Sequence, residues 1–267
     1  MADPMGVTGL LTAPLLASDI SVGEHPEVKV LGLTVNVDIV WATVIAGLVV
    51  VTMGMILRAR ATSGVPGKFQ LIWEMAVGAV QKQVSDSIGP RGARVVPLAL
   101  TLFVFIFVCN LFEVLGIGSR FEFLPAPTSD INLPLAMALY VFVLTNVAAI
   151  KNRGVGGYLS HYVKQPFSPK LFPVNLFMNA IEEIIKPLTL TLRLFGNLFA
   201  GGLMLSLLAA LVIWKLGPVP IGGVLSIPFT IVWKLFDMAI GAIQAFIFAL
   251  LTILYFDTAM AGPEAGH

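Results

Sequence analysis

Arg193 is the residue in this sequence whose chemistry is hardest to explain from its immediate neighbours. It lies in the apolar stretch 188–202, and the next charged residue is Lys215. A guanidinium stays protonated in practice, and a cation at mid-bilayer costs at least roughly 2.5 kcal/mol. No carboxylate lies three or four residues away, so a partner one turn away on its own helix is excluded. The counter-charge is therefore expected elsewhere in the chain or on another protein.

Other groups that can transfer or guide protons lie at defined spacings from Arg193. Helical steps place Glu182, Lys186 and Asn197 on its face, and Glu183 is adjacent. Asp237 and Gln244 are seven residues apart and share a face of a later segment. Further candidates near the ends of earlier apolar stretches are Asn110, Glu113, Asp130 and Asn132. Carboxylates can relay protons, whereas an amide can only orient water.

The composition indicates an integral membrane protein. Of 267 residues, 57% are hydrophobic and 12% charged, whereas soluble domains carry about 25% charged residues. The net charge of +1 gives no electrostatic case for nucleic acid. A single cysteine, Cys109, excludes an internal disulfide and offers no metal cluster. Neither a phosphate-binding glycine-rich loop nor a nucleophile–base set is present, so we expect no enzyme activity and no cofactor.

The elements that must position these groups form an all-α membrane protein of one domain. We predict five transmembrane helices plus one amphipathic or membrane-surface helix. The predicted segments are an outside N-terminal segment 1–38, transmembrane helices 39–57, 95–117 and 131–150, an amphipathic helix 69–88, and long helices 174–214 and 224–256. The last two exceed a hydrocarbon core of about 30 Å, so we expect them to be strongly tilted and antiparallel.

The charges of the connections predict the orientation of the chain, and a count along the two long helices predicts the depth of the polar groups. Lys and Arg concentrate in the connections 58–94 and 151–170, which predicts an outside N-terminus and a cytoplasmic C-terminus. Counting from the turn between the long helices puts Gln244 level with Arg193 and Asp237 level with Gly202. Two polar sets at different depths suit two aqueous half-channels that do not meet. A moving partner that carries protons between them gains about 2.3 kcal/mol per proton per 100 mV.

The segment 192–201, Leu-Arg-Leu-Phe-Gly-Asn-Leu-Phe-Ala-Gly, resembles the signature of the F-type ATP synthase a-subunit family. The segments 110–113, 129–132, 172–175 and 243–248 match the same family in the expected order. The resemblance implies a proton-translocating stator subunit of a bacterial cell membrane. It implies three partners: the c-ring, the peripheral stalk of subunit b, and the rest of the complex. It also implies that Arg193 faces the c-ring carboxylate, with Asn197 and Gln244 lining the path.

The chain departs from the family pattern at two places. Many relatives carry Glu after the Ala-Gly pair, facing a His on the last helix, and here those positions are Gly202 and Asp237. We expect the titrating role at Asp237, with Glu113 or Asp130 assisting. The family's inner-channel acid often stands where this chain has Asn179, so Glu182 or Glu183 would serve.

Several alternatives stay open at this stage. A self-contained ion-coupled secondary transporter would require paired broken segments in two halves, which are not evident. A structural membrane anchor would leave Arg193, Asp237 and Gln244 unexplained. Coupling to Na⁺ is equally compatible with the sequence, because the partner's carboxylate site chiefly selects the ion. Individually, Asp237 can pair with Lys234, the other carboxylates can be solvated interface residues, and the asparagines can be helix-packing groups.

Overall fold

The computed structural model describes residues 27–30, 33–62, 64–115, 125–164, 171–211 and 221–260. Six α-helices fill most of this part: α1 (Val37–Arg60), α2 (Lys68–Ile88), α3 (Val96–Leu115), α4 (Asn132–Lys164), α5 (Phe172–Leu211) and α6 (Ile221–Met260). Short 3₁₀ turns, Gly89–Arg94 and Pro127–Ser129, precede α3 and α4. All helices except α2 are long and apolar enough to cross a membrane, which confirms the predicted helical fold with five candidate spans.

A β-hairpin near the N-terminus is an addition to the predicted fold. Strand β1 (Glu27–Val30) pairs antiparallel with β2 (Leu33–Asn36). Apolar residues, three of them valines, alternate with polar residues in both strands, the period that favours a pleated ribbon. The hairpin leads directly into α1. Residues 1–26, 31–32, 116–117 and 212–214 of the predicted segments lie outside the described residues.

The centre of the molecule is a four-helix core. Ile106 of α3, Val141 of α4, Leu194 of α5 and Phe248 of α6 are buried in one cluster. The α3 helix also contacts α1 and α2, while α1 keeps most of its apolar side chains exposed. The arrangement holds α5 and α6 against α3 and α4 and leaves α1 at the edge.

Helix α4 bends sharply at Gly154, where φ is 71°. A left-handed backbone angle of this kind is easy for glycine and costly for other residues. Beyond the bend, the Tyr158 hydroxyl donates to Oδ1 of Asn146 over 2.5 Å. Just before the bend, Asn152 donates to the Met260 carbonyl (2.8 Å) and Arg153 to the Thr258 carbonyl (2.7 Å). The bend of α4 therefore meets the C-terminal end of α6.

The two longest helices, α5 and α6, each contain 40 residues and one internal proline. Each is about 60 Å long at 1.5 Å per residue. Pro187 in α5 has no N–H to donate to the preceding turn, and the Thr191 hydroxyl donates to its carbonyl over 2.8 Å. The α5 helix packs against both α4 and α6.

Candidate functional site

Helix α5 has one buried face and one exposed face. Leu190, Leu194 and Leu198 are buried at four-residue intervals against the core. Arg193 lies on the other side and is exposed, as is the small residue Ala200 two turns later. Among the described residues, no hydrogen bond or ion pair is found for Arg193. Its charge is therefore presented to the surroundings and not to this chain's own core.

In the C-terminal third of α5, the contact with α6 brings a carboxylate against a glycine. A Cβ atom built on Gly201 would lie 2.9 Å from Oδ1 and 3.1 Å from Oδ2 of Asp237. The Trp233 indole, one turn earlier on α6, donates to the Gly201 carbonyl over 3.4 Å. Asp237 is buried, and neither it nor Lys234 is isolated. A side chain at position 201 would require this carboxylate to shift, so the glycine lets it lie close to α5, one residue from the predicted level at Gly202.

Gln244 lies at nearly the depth of Arg193. Arg193 precedes Gly201 by eight residues, and Ala245 follows Asp237 by eight. Leu194 and Ala245 accordingly share one buried cluster, as expected for an antiparallel pair. The depth count made from the sequence therefore agrees with the structure.

Two buried amide groups flank this level without a hydrogen-bond partner. Nε2 of Gln244 and Nδ2 of Asn197 are both inaccessible and make no hydrogen bond to the described residues. A buried donor left unsatisfied costs about 1–3 kcal/mol, so such groups are rare unless they serve water, an ion or a substrate. Both were predicted to line the path, and both lie within one turn of the Arg193 level.

A buried hydrogen-bond network joins α3 to α6 beside this contact. The Asn110 amide donates to the Gly241 carbonyl over 3.0 Å, and the Thr128 hydroxyl donates to Oδ1 of Asn110 over 2.8 Å. A Cβ on Gly241 would lie 3.1 Å from that of Asn110, so glycine again permits the approach. Gly241 is one turn from Asp237. Thr128 was not among the predicted site residues.

Asp130 and Asn132 lie at the start of α4. Oδ1 of Asp130 accepts the Asn132 backbone N–H (2.8 Å), and Oδ2 accepts Nδ2 of Asn36 (2.5 Å). Asp130 is buried, whereas Asn132 is exposed. Glu113 belongs to α3 by its backbone, but its side chain lies outside the described residues.

The N-terminal half of α5 carries a compact charged cluster. Nζ of Lys186 lies 2.9 Å from Oε1 of Glu183 and 3.2 Å from Oε1 of Glu182. The Glu182 side chain is 65% exposed and that of Glu183 only 24%. Tyr255 of α6 lies within electrostatic range of both Lys186 and Arg193. The two carboxylates thus share one cation two turns from Arg193.

The predicted residues whose side chains the structure describes therefore fall into three groups. The central group contains Arg193, Asn197, Gln244, Asp237 and Asn110. Asp130 and Asn132 form a second group at the start of α4, and Glu182 and Glu183 form a third with Lys186. Sequence reasoning missed Asn36, Thr128 and Trp233, whose roles depend on contacts between distant segments.

Comparison with known proteins identifies the family. The family profile described as ATP synthase A chain matches residues 39–257. The chain belongs to the ATP synthase A chain family. ATP synthase subunit a of Acidothermus cellulolyticus is 47% identical over 263 residues, which cover 95% of this chain and 87% of that protein. ATP synthase subunit a of Mycobacterium tuberculosis is 43% identical over 274 residues, covering 96% of this chain and 100% of that protein.

The ATP synthase A chain match includes every candidate site residue, from Asn110 to Gln244. The relative from Mycobacterium marinum is 42% identical over 274 residues, again across 96% of this chain. The resemblance stated from the motif 192–201 is thereby confirmed over most of the sequence.

Proposed function

We propose that this chain is the proton-translocating stator subunit of a bacterial ATP synthase. Two offset aqueous half-channels deliver protons to and from c-ring carboxylates, and Arg193 separates them, so that proton flow drives ring rotation and ATP synthesis. Membership of the ATP synthase A chain family supports the proton-translocating role and a subunit that is not catalytic by itself. It gives no support to a self-contained secondary transporter.

The observation that carries this proposal is the exposure of Arg193. An unpaired guanidinium in an apolar helix needs a counter-charge, and its own chain presents none within the described residues. The nearby Ala200 and Gly196 are small and allow another helix to approach closely. A carboxylate on a passing helix of the c-ring would supply the counter-charge, and its helix could approach this surface of small residues. A fixed cation at this place also prevents a continuous proton wire between the two half-channels.

The outer half-channel is assigned to the buried groups on α6 and α3. Asp237 is the first candidate for the proton relay, because it is buried against Gly201 and lies on the face of Gln244. Glu113 and Asp130 are the other candidates. The amides of Asn110, Asn132, Asn197 and Gln244 cannot titrate, so their role is to orient water along the path.

The inner half-channel is assigned to Glu182 and Glu183. Glu183 is the more buried of the two, and both share Lys186. Their position on α5, about three turns before Arg193, supports an exit path on the opposite side of that residue from Asp237.

In the membrane we propose a single domain with the N-terminus outside and the C-terminus in the cytoplasm. Helices of about 60 Å must tilt strongly in a hydrocarbon core of about 30 Å, which supports tilted α5 and α6. For α2, the buried Val80 and Val84 and the exposed Gln70–Glu74 hydrogen bond support an amphipathic surface helix. The exposed apolar face of α1 leaves room for lipid and for the peripheral stalk of subunit b.

The test is replacement of Arg193 in the assembled complex reconstituted in proteoliposomes. We expect Arg193→Ala to abolish proton-driven ATP synthesis while the subunit still assembles. Arg60→Ala is the matched control, because Arg60 is an exposed arginine in the last turn of α1. Synthesis at the wild-type rate in Arg193→Ala would contradict the proposal.

A further inference from the structure

A series of hydrogen bonds connects the N-terminal hairpin to α6. Asn36, the residue before α1, donates to Asp130 over 2.5 Å. Two residues earlier in the chain than Asp130, Thr128 donates to Asn110 over 2.8 Å, and Asn110 donates to the Gly241 carbonyl over 3.0 Å. Four segments that are distant in sequence are thereby joined.

Both carboxylate oxygens of Asp130 accept hydrogen bonds. One comes from the backbone at the start of α4, and the other comes from the residue that precedes α1. Oδ1 caps the first turn of α4 through the Asn132 N–H, and Oδ2 accepts the Asn36 amide. A carboxylate at such a position stabilises the start of a helix and the segment bonded to it. None of the hydrogen bonds found for Asp130 in the described residues leads to Asp237 or Gln244.

The 3₁₀ turn Pro127–Ser129 transmits the position of Asp130 to the site. This turn contacts α1, α3, α4 and α5, and Thr128 within it is fully buried. Because Thr128 holds Oδ1 of Asn110, the Asn110 amide is aimed at the Gly241 carbonyl. Gly241 lies one turn after Asp237 and three residues before Gln244. A shift of the turn would therefore move the α3–α6 contact that carries both residues.

We infer that Asp130 is a positioning residue and not a proton relay: with Asn36 it forms a clamp that fixes the Pro127–Ser129 turn and, through Thr128 and Asn110, the depth of α6. The inference rests on the proposed function of Asp237 and Gln244. It narrows the candidates for the outer relay to Asp237 and Glu113. It also gives Asn36 a role at the site, although this residue precedes α1 and lies outside the part of the chain that matches the family profile.

The deciding experiment is rescue by a group that cannot titrate. In Asp130→Asn the amide oxygen can still accept the Asn132 N–H, and its NH₂ can donate to Asn36 after that amide rotates. We expect Asp130→Asn to keep proton-driven ATP synthesis within about twofold of wild type. For Asp130→Ala we expect the rate of proton-driven ATP synthesis to fall on the order of tenfold. Small misplacements caused far from the reacting groups can have effects of this size. Inactivity of an assembled Asp130→Asn complex would overturn the inference.

Because Asp130→Ala removes a helix cap and can impair assembly, the other links provide a second measurement. We expect Asn36→Ala and Thr128→Val each to lower synthesis in assembled complexes. The double variant, Asn36→Ala with Thr128→Val, should synthesise ATP no more slowly than the less active of the two single variants. Residues that act through one connection do not have additive effects. Thr43→Val is the matched control, because within the described ranges the Thr43 hydroxyl bonds only the Ile39 carbonyl of its own helix. Wild-type rates in both Asn36→Ala and Thr128→Val would also overturn the inference.

The same preparations distinguish this inference from the proposed function. If Arg193→Ala still makes ATP, the proton-translocating role itself fails. If Arg193→Ala and Asp237→Asn are inactive and Asp130→Asn is inactive as well, only the positioning role of Asp130 fails. If Asp130→Asn is active beside an inactive Asp237→Asn, the inference stands.

Discussion

The amides of Asn197 and Gln244 are buried beside Arg193 without a hydrogen-bond partner in the described residues. Each such donor lowers the stability of the folded chain, because it leaves water without gaining a replacement bond. Packing would be better served at these positions by leucine. Their presence is explained if they hold water or a passing group during proton transfer.

At Gln244 this reasoning predicts opposite effects on stability and on function. We expect Gln244→Leu to keep or raise the stability of the subunit, by about 1 kcal/mol at most, because an unsatisfied buried donor is removed. We expect it to lower proton-driven ATP synthesis by about tenfold, since the path loses a group that orients water. Thermal unfolding in detergent and synthesis in proteoliposomes measure the two effects.

The control for Gln244→Leu is Thr252→Val, which removes a buried hydroxyl already bonded to the Phe248 carbonyl of its own helix. We expect that variant to make ATP at the wild-type rate. A Gln244→Leu subunit that is clearly destabilised, or that synthesises ATP normally, would contradict the prediction.

Some features of the individual site residues were predictable from the sequence, and others were not. The lack of a partner for Arg193 on its own helix was predictable, because it depends only on neighbours three and four residues away. The lack of a partner on the other described helices was not, because it depends on how those helices pack. The depth of Gln244 was also predictable, from the rise per residue of two antiparallel helices. The bond from Asn110 to Gly241 was not, because these residues are 131 positions apart and meet only through packing.

Among the elements, the C-terminal end of α6 is held by the bend of α4. The last carbonyl groups of a helix have no partner within it, and a cation nearby is favourable there. Asn152 and Arg153 supply donors to the Met260 and Thr258 carbonyls. The sequence predicted a span ending near residue 150 and did not reveal this cap, because the glycines that follow are typical of a loop.

We predict that Arg153→Ala loosens the last turn of α6. The change removes a charged donor from the helix end, which typically contributes about 0.3–1 kcal/mol. Amide hydrogen exchange in the last turn of α6 should accelerate by a few-fold, while exchange around Phe248 should not change. Lys151→Ala is the control, since Lys151 is exposed and makes no hydrogen bond among those found in the described residues.

For the molecule as a whole, the positive charges of the connections predict the orientation across the membrane. Arg58 and Arg60 end α1, and further Lys and Arg residues flank the connection to α3. Cytoplasmic connections carry such an excess of positive charge. Gly64 should then face the cytoplasm, and Ile131, at the start of α4, should face the outside.

Single-cysteine labelling tests this orientation in a Cys109→Ser background. We expect a membrane-impermeant thiol reagent to label Gly64→Cys in inverted vesicles only and Ile131→Cys in intact cells only. Both positions are exposed, and Gly64 has no heavy atom near its Cβ position, so the changes should be tolerated. The reverse pattern of labelling would contradict the proposed topology.

The charged cluster of α5 has a consequence for the biogenesis of the chain. This helix is the least hydrophobic of the five candidate spans, and α6 is clearly more hydrophobic. Lys186 neutralises part of the cost of Glu182 and Glu183 on the same helix, but Arg193 enters the membrane without compensation. A translocon that released α5 alone would have to place that cation in lipid. Insertion of α5 and α6 together, as one helical hairpin, lets the apolar surface of α6 offset this cost before any partner arrives.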